Sequence, residues 1–324
     1  STWGSLPSLI TGVCLLIAAW TTSMYLFAFF VITAYICRSA LLPFITDIYG
    51  DNYPSDRRAA FFSKSLLLSV GIAALSGFIG SSILEKDIEY YPLIFTFLGF
   101  CAFSKAVAIY CMPSKKVDKS PHENPFGNMK YAWQDRSFGY VLLTWFIMGF
   151  ANLWTLPLRV DYVTSSQWGI EGSAIFVAMI ITVIPETMRM LLIPFWARLF
   201  DKMNFVILRM ILNLSFAAGV LLFFISSNPW IIGAGSALIG VAFAGGSIAW
   251  NLWVTKYAPP GKTGAYMSVH VSLTGIRGTL GPMIGYWAVG LIGAQNIGIL
   301  SCAMMLLATL MLIPEIKHGR WKTA

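Results

Sequence analysis

The 324-residue sequence is far more apolar than that of a soluble globular protein. Hydrophobic residues make up 57% of it, charged residues 11%, and the mean hydropathy is +0.71. A soluble core cannot use so much apolar surface, whereas a lipid bilayer solvates it and requires only that the backbone form its hydrogen bonds internally. Because helices meet that requirement, we predict an all-α polytopic membrane protein.

Ten apolar segments are long enough to cross a bilayer. At 1.5 Å per residue, about 17 residues with few charges span a hydrocarbon core of ~30 Å. The first break, Thr21-Thr22-Ser23, is short, so the first two segments lie close together in the chain. The predicted segments are 6–22, 24–48, 59–84, 91–112, 137–158, 172–194, 205–225, 230–254, 264–290 and 297–313.

Most basic residues lie in alternate breaks between these segments and in the C-terminal tail, which belongs to the first set. One set of breaks holds 14 Lys and Arg residues, and the other holds two, Lys86 and Arg159. Because Lys and Arg concentrate on the cytoplasmic side, this asymmetry predicts cytoplasmic termini, and we expect the plasma (cell inner) membrane. The net charge of +8 is therefore a signal of orientation, and we expect the lipid bilayer as a partner but no nucleic acid.

The longest polar break predicts a division of the chain into two helical bundles. Residues 113–136 are polar and basic, so we expect a cytoplasmic linker between 1–112 and 137–324. A shift of 205 residues aligns Pro54–Ser63 with Pro259–Ser268, which indicates a parallel repeat. The alternative is that the two stretches are alike only because each is a basic turn before a membrane helix. If the repeat is real, six helices should precede the linker as six follow it, so two helices are expected before the four of the first bundle.

Three kinds of motif resemble the major facilitator superfamily (MFS) over nearly the whole chain. Pro194–Asn204 looks like the family's Gly-x-Leu-x-Asp-Arg-x-Gly turn, with alanine, lysine and asparagine replacing the first glycine, the arginine and the last glycine. Pro54–Arg58 and Pro259–Lys262 resemble its Pro-x-x-x-Arg turns, and Gly278–Gly285 is similar to its GPxxG helices.

The resemblance implies a two-bundle fold with family helices 3 to 12 present, ten transmembrane helices of an expected twelve. It also implies a monomeric secondary transporter, either a symporter or an antiporter, that moves a small-molecule solute by alternating access, with protons as a candidate coupling ion. In this fold the cytoplasmic turns form a gate. An aspartate there can cap a helix N-terminus or pair with a cation, although a solvated turn is the alternative. The predicted gating residues are Arg57, Arg58, Arg198, Asp201, Lys202 and Lys262.

Ionisable residues at bilayer depth usually face a cavity or the bundle interior. Arg38 lies near the middle of segment 24–48, and Arg277 is similarly central in segment 264–290. A structural role, such as bonding to carbonyls freed by proline or glycine, is the alternative for each. Near the cytoplasmic helix ends, Lys64, Lys105 and Arg209 are expected to snorkel without function. The predicted substrate-binding and cavity residues are Tyr35, Arg38, Trp145, Asn152, Ser247, His270, Thr274 and Arg277.

Two residue types at bilayer depth can carry proton coupling. Glu186 and Arg189 lie three residues apart beside Pro185 and so share a helix face, where they form either a proton-coupling pair or a neutralising ion pair. His270 is the other candidate for coupling. Helix 137–158 is expected to bend near Gly149, Asn152 and Pro157.

The arginines at bilayer depth outnumber the single carboxylate there, which favours an anionic or zwitterionic solute. A transport-inactive sensor or scaffold of the same fold is an alternative, and an integral-membrane enzyme a weaker one, because no catalytic cluster is visible. We predict no enzyme activity and no cofactor or metal. The five cysteines are scattered singly through apolar stretches and are expected to be free, buried thiols.

Overall fold

The computed structural model describes residues 2–54, 56–113, 125–170, 172–173, 176–177 and 179–317. All regular secondary structure in these ranges is helical. Short helical turns cover Ile88–Tyr90, Pro125–Gln134, Ser166–Trp168 and Ile313–Lys317, and a π-helical turn covers Met179–Val183. The longer helices are α1 (Thr2–Trp20), α2 (Met24–Asn52), α3 (Arg58–Lys86), α4 (Tyr91–Cys111), α5 (Arg136–Leu153), α6 (Leu158–Thr164), α7 (Ile184–Lys202), α8 (Phe205–Ile225), α9 (Pro229–Tyr257), α10 (Thr263–Ile292) and α11 (Ala294–Met311).

Most described residues of the ten predicted segments are helical, so the all-α, multi-pass prediction is confirmed. In the described part of the chain, seven helices are long and apolar enough to cross a membrane: Met24–Asn52, Tyr91–Cys111, Arg136–Thr164, Met179–Lys202, Phe205–Ile225, Pro229–Tyr257 and Ala294–Lys317. The helix Gly4–Trp20 is apolar but shorter. The count of ten crossings therefore stays a prediction, as does the division at residues 113–136.

The chain forms two compact units. Unit one comprises the described residues of 1–54, 65–125 and 258–271. In it α1 packs against α2 and α4, where Gly12 lets α4 approach closely: a Cβ there would lie 2.6 Å from the ring of Phe103. Cys101 and Cys111 on α4 are free but exposed. The expectation of buried thiols was wrong for these two, because an apolar stretch can face lipid as well as protein.

Unit two comprises the described residues of 55–64, 126–257 and 272–324. Helix α8 packs against α9 and α11, α9 packs against α7, and α11 packs against α5. The core of this unit includes the fully buried Tyr162, whose hydroxyl donates to the carbonyl of Phe224 at 3.0 Å. That hydrogen bond ties α6 to the end of α8 and satisfies a carbonyl that the helix end leaves unpaired.

The predicted bend in segment 137–158 is an interruption of the helix. α5 ends at Leu153, residues 154–157 form a turn, and Pro157 caps α6. Proline has no backbone N–H, so it suits the start of a helix and not its interior. The turn places the indole N–H of Trp154 at 2.5 Å from the hydroxyl of Ser301 on α11.

Candidate solute-binding and gating sites

Two buried arginines meet in the interior of unit two. Arg209 of α8 is 3% exposed and Arg277 of α10 is 5% exposed, and their guanidinium groups are close enough to interact electrostatically. Neither forms an ion pair with a carboxylate among the described residues. Two buried like charges without a counterion are costly, so the arrangement is suited to receiving an anion.

Trp145 of α5 holds both guanidinium groups. Arg209 lies over its indole ring, 3.5 Å from the ring centre, and also donates through Nη2 to the sulfur of Met148 at 3.0 Å. Arg277 donates through Nη1 to the carbonyl of Trp145 and through Nη2 to the hydroxyl of Thr274 at 3.1 Å. The ring itself is fixed by stacking on Trp253 of α9 at 5.7 Å. We call Trp145, Arg209, Thr274 and Arg277 the arginine cluster.

Gly149 makes room for the cluster. It lies one turn beyond Trp145 on α5, and a Cβ at this position would lie 2.7 Å from Nε of Arg277. Only glycine therefore allows the guanidinium to lie directly against the α5 backbone. A second close approach is at Gly285, where a Cβ would lie 3.0 Å from the carbonyl carbon of Trp154. This contact explains one glycine of the GPxxG motif.

The structure joins some predicted cavity residues and separates others. Trp145, Thr274 and Arg277 come together in the arginine cluster. His270 is 1% exposed and belongs by its contacts to unit one. Tyr35 and Arg38 are exposed on α2, while the hydroxyl of Ser247 donates to the carbonyl of Phe243 in its own helix at 2.7 Å.

Arg209 corrects an expectation. The sequence placed it near a cytoplasmic helix end and predicted a snorkelling side chain without function. Instead it is buried, and its guanidinium lies over the ring of Trp145, which offers the cation a favourable face. The signal that could have identified it is the fixed spacing of Arg209 and Asn213 on one face of α8, both of which are buried.

A second charged group of residues lines a cavity of about 290 Å³ in unit two. Arg159 of α6 is buried there, and its Nη2 donates to the side-chain oxygen of Asn152 at 2.7 Å. Glu186 and Arg189 line the same cavity and form an ion pair at 3.2 Å. The predicted Glu186–Arg189 pair therefore exists, and Asn152 accepts a hydrogen bond from Arg159. The sequence analysis had counted Arg159 only among the charges that indicate orientation.

The π-helical turn before α7 shapes this cavity. Pro185 has no N–H, so the π pattern leaves the carbonyl of Ile180, five residues earlier, without its helical donor. The hydroxyl of Ser236 on α9 donates to that carbonyl instead. Gly240 of α9 then packs directly against Pro185, with a Cβ position only 2.7 Å from its Cα.

The signature turn is an inter-helix cap. The carboxylate of Asp201, at the end of α7, accepts hydrogen bonds from the backbone N–H groups of Ala59 and Ala60 of α3, each at 2.9 Å. The positive end of the helix dipole of α3 stabilises this charge. Lys256 of α9 interacts with Asp201, and its ammonium donates to the carbonyl of Phe200.

The other predicted gating residues differ in their surroundings. Arg58 is buried and interacts electrostatically with Lys256. Arg57 is exposed and lies 3.7 Å from the equally exposed Asp56. The remaining predicted gating residues are all exposed: Arg198, Lys202 and Lys262. Lys256 is a charged neighbour of the signature turn that the sequence analysis missed, since it had been counted only as an orientation signal.

Unit one also has a carboxylate near a helix start. Gly264, near the start of α10, lies close to Asp47 of α2, with the Asp47 carboxylate carbon 3.7 Å from the position of an added Cβ. The repeat aligns Gly264 with Ala59, one of the two residues capped by Asp201. Each of the two helix starts that the repeat makes equivalent therefore has a carboxylate nearby, and at Ala59 that carboxylate forms a cap. Among the described residues, no group of His, Cys, Asp and Glu side chains is placed to hold a metal ion.

Comparisons with known proteins agree with this architecture. The human organic anion transporter MFSD10 (TETRAN) superposes with a TM-score of 0.77 at 17% identity, covering 95% of this chain and 76% of its own. A variant of the Escherichia coli fucose:proton symporter FucP superposes with a TM-score of 0.66 at 14% identity, covering 96% and 82%. At these identities the likeness establishes the fold.

A search of curated proteins found no match. The family model described as Major Facilitator Superfamily matches residues 3–269 and, in a second overlapping match, residues 167–324. Together the two matches span almost the whole sequence. The chain belongs to the major facilitator superfamily.

Proposed function

We propose that this protein is a secondary active transporter that moves a small organic anion across the membrane by alternating access. Membership of the family supports transport of a small solute and a transporter rather than an enzyme. The observation that carries the substrate class is the arginine cluster: two buried guanidinium groups, Arg209 and Arg277, with no carboxylate partner among the described residues.

The geometry favours a carboxylate or similar planar anion. A guanidinium is planar and presents its N–H donors in a fork that matches the two oxygens of a carboxylate. Trp145 holds one guanidinium against its ring face and accepts from the other through its carbonyl. Both groups are thereby ordered before the solute arrives, which reduces the entropy lost on binding.

The capped signature turn suits one state of an alternating-access cycle. Asp201 fastens the start of α3 to the end of α7 through two charge-assisted hydrogen bonds. Separating these helix ends would leave a carboxylate and two N–H groups to be resolvated. The cap therefore acts as a latch that is stable in one conformation and opens in another.

Glu186 and His270 remain our candidates for proton coupling. The carboxylate of Glu186 is 46% exposed and its partner Arg189 is 25% exposed, so water in the cavity can exchange protons with it. Because Arg189 already neutralises Glu186, proton uptake there would release the guanidinium. We therefore place coupling at the Glu186–Arg189 pair in preference to His270.

The structural neighbours are compatible with this proposal but do not decide it. One is named an organic anion transporter and the other a fucose:proton symporter, so the same fold accommodates different solutes. The arginine cluster favours the anionic class. We further propose that both termini are cytoplasmic, on the basis of the 14 to two distribution of basic residues, and that the protein is a monomer in the plasma membrane, as the family resemblance implies.

Uptake by proteoliposomes tests the proposal. Purified protein is reconstituted, and uptake of radiolabelled aromatic and aliphatic carboxylates, a zwitterionic amino acid and L-fucose is measured with and without an inward proton gradient. We expect saturable uptake of a carboxylate, stimulated by the gradient. Uptake of fucose alone would contradict the anionic class, and absence of uptake for the whole panel would favour the sensor or scaffold.

A further inference from the structure

The cavity beside the π-helical turn has the features of a second anion site, which uses none of the residues of the arginine cluster. Its polar lining consists of Arg159, Arg189, Glu186 and Ser236, and the remainder is apolar. We propose that it binds the carboxylate end of a monocarboxylate with an apolar body. The inference does not depend on the proposed function, because binding at equilibrium requires no transport.

Arg159 is the group that points to a ligand. It is 6% exposed and lines the cavity, but its neighbours among the described residues satisfy it only in part. Nη2 donates to Asn152 at 2.7 Å and to the hydroxyl of Thr155 at 3.4 Å, whereas Nε has no hydrogen-bond partner there. Both partners are neutral, so the buried positive charge has no counterion within the described residues.

The charges of the lining set the charge of the ligand. Arg159 and Arg189 contribute two positive charges and Glu186 one negative charge, which leaves one positive charge to be neutralised. Glu186 bonds to Arg189 from the same helix at 3.2 and 3.3 Å, and Nε of Arg189 has no partner among the described residues. An entering carboxylate can therefore bind Arg159 and compete with Glu186 for Arg189.

The shape of the cavity sets the size and polarity of the ligand. Its volume of about 290 Å³ is at the small end of the range for ligand sites. The carboxylate would lie at the arginines while the apolar part contacts Ile181, Phe223 and Phe243. Two sources supply this chemistry: a short aromatic acid from water, or a fatty acid from the bilayer whose chain extends out of the cavity.

Equilibrium binding to the full chain in nanodiscs tests the site, with benzoate and palmitate as separate probes. We expect binding of at least one probe that falls by about tenfold or more in Arg159→Gln, since a charge-assisted hydrogen bond is lost. The matched control is Arg136→Gln, which removes an exposed arginine at the start of α5 and should leave binding unchanged. Benzoate binding identifies the aqueous source and palmitate binding the bilayer source.

A second variant keeps the test decisive if Arg159→Gln fails to fold. Glu186→Gln alters a half-exposed side chain and removes the competitor for Arg189, so affinity for the carboxylate should rise by about tenfold. A third, Leu156→Trp, should abolish binding by filling the cavity while every charge remains. No binding of either probe to the wild type, or weaker binding in Glu186→Gln, would overturn the proposal.

Discussion

The guanidinium carbon of Arg209 lies 3.5 Å from the centre of the indole ring of Trp145. Away from water, a cation over a tryptophan face is stabilised by about 2 kcal/mol or more, which offsets part of the cost of burying the charge. The contact holds the guanidinium by its flat face and leaves N–H groups at its edge for other partners. Arg209 can thus be both a structural and a binding residue, and substitution distinguishes the two roles.

Arg209→Gln should reduce carboxylate uptake by about tenfold to a hundredfold. The charged hydrogen bonds that it would lose are worth roughly 1.5–3 kcal/mol, and each 1.4 kcal/mol is about tenfold in affinity. Arg209→Lys keeps the charge but not the planar fork, so its uptake should be intermediate. Radiolabel uptake over a range of solute concentrations measures both effects.

The control for this prediction is Arg136→Gln, which makes the same substitution at an exposed position. It should leave uptake within about twofold of the wild type, as surface changes usually do. If Arg209→Gln kept normal uptake while its thermal stability fell, the residue would be structural only, and the arginine cluster would not bind the solute.

Gly149→Ala should displace Arg277 and lower uptake about tenfold. A Cβ at this position would lie 2.7 Å from Nε of Arg277, closer than side chains can pack, so the guanidinium must leave the carbonyl of Trp145. The matched control is Gly275→Ala on α10, where no described atom lies within 4 Å of an added Cβ. Both changes remove a helical glycine, worth about 1 kcal/mol in favour of alanine, so only the clash differs. Equal uptake in the two variants would contradict the role of Gly149.

The sequence predicted the helices well because the bilayer constrains them strongly. Any segment at membrane depth must satisfy its own backbone, so hydrophobic length alone located the helical segments. Even the break at residues 21–23 is present. The interior contacts were less predictable, because hydropathy does not specify which face of a helix meets a neighbour. Arg209 illustrates this. Its position near a helix end predicted a side chain that reaches the membrane surface, but its partner Trp145 on α5 is distant in sequence.

The signature turn shows the same limit. The aspartate was expected to cap a helix or pair with a cation, and the structure shows the cap, with Ala59 and Ala60 as donors. Lys256 is close enough to interact with it electrostatically. The donors are about 140 residues away in the chain. No pattern within the turn itself identifies these donors.

Asp201→Ala should destabilise the protein by about 1–2 kcal/mol, the usual cost of removing a helix cap. Two backbone N–H groups of α3 lose their acceptor, and Lys256 loses a nearby negative charge. The midpoint of thermal unfolding in detergent measures the effect. Asp56→Ala is the control, because Asp56 is exposed and forms its ion pair with the equally exposed Arg57, so its change should be near zero. An equal shift in both variants would argue against the latch.

Ser236→Ala should leave the carbonyl of Ile180 unsatisfied at the π-helical turn. The hydroxyl of Ser236 donates to it from another helix, and Pro185 cannot supply the missing donor. Hydrogen bonds between membrane helices average about 0.6 kcal/mol, with larger values near 1.7, so we expect a loss on the order of 1 kcal/mol in unfolding free energy. Ser247→Ala provides the comparison: its hydroxyl donates within its own helix to Phe243, and the change should be smaller.

Cysteine labelling in intact cells should show a two-sided pattern. In a background without native cysteines, Gln167→Cys and Ser227→Cys should react with a membrane-impermeant maleimide added outside. Lys130→Cys and Lys262→Cys should react only after permeabilisation. All four residues are exposed in the structure, so accessibility to the reagent depends on the side of the membrane.

The expected sidedness follows from the concentration of 14 basic residues in alternate breaks. Opposite sidedness of Lys130→Cys and Lys262→Cys would require an odd number of crossings between them, whereas the predicted segments give four, so the predicted topology would then be wrong.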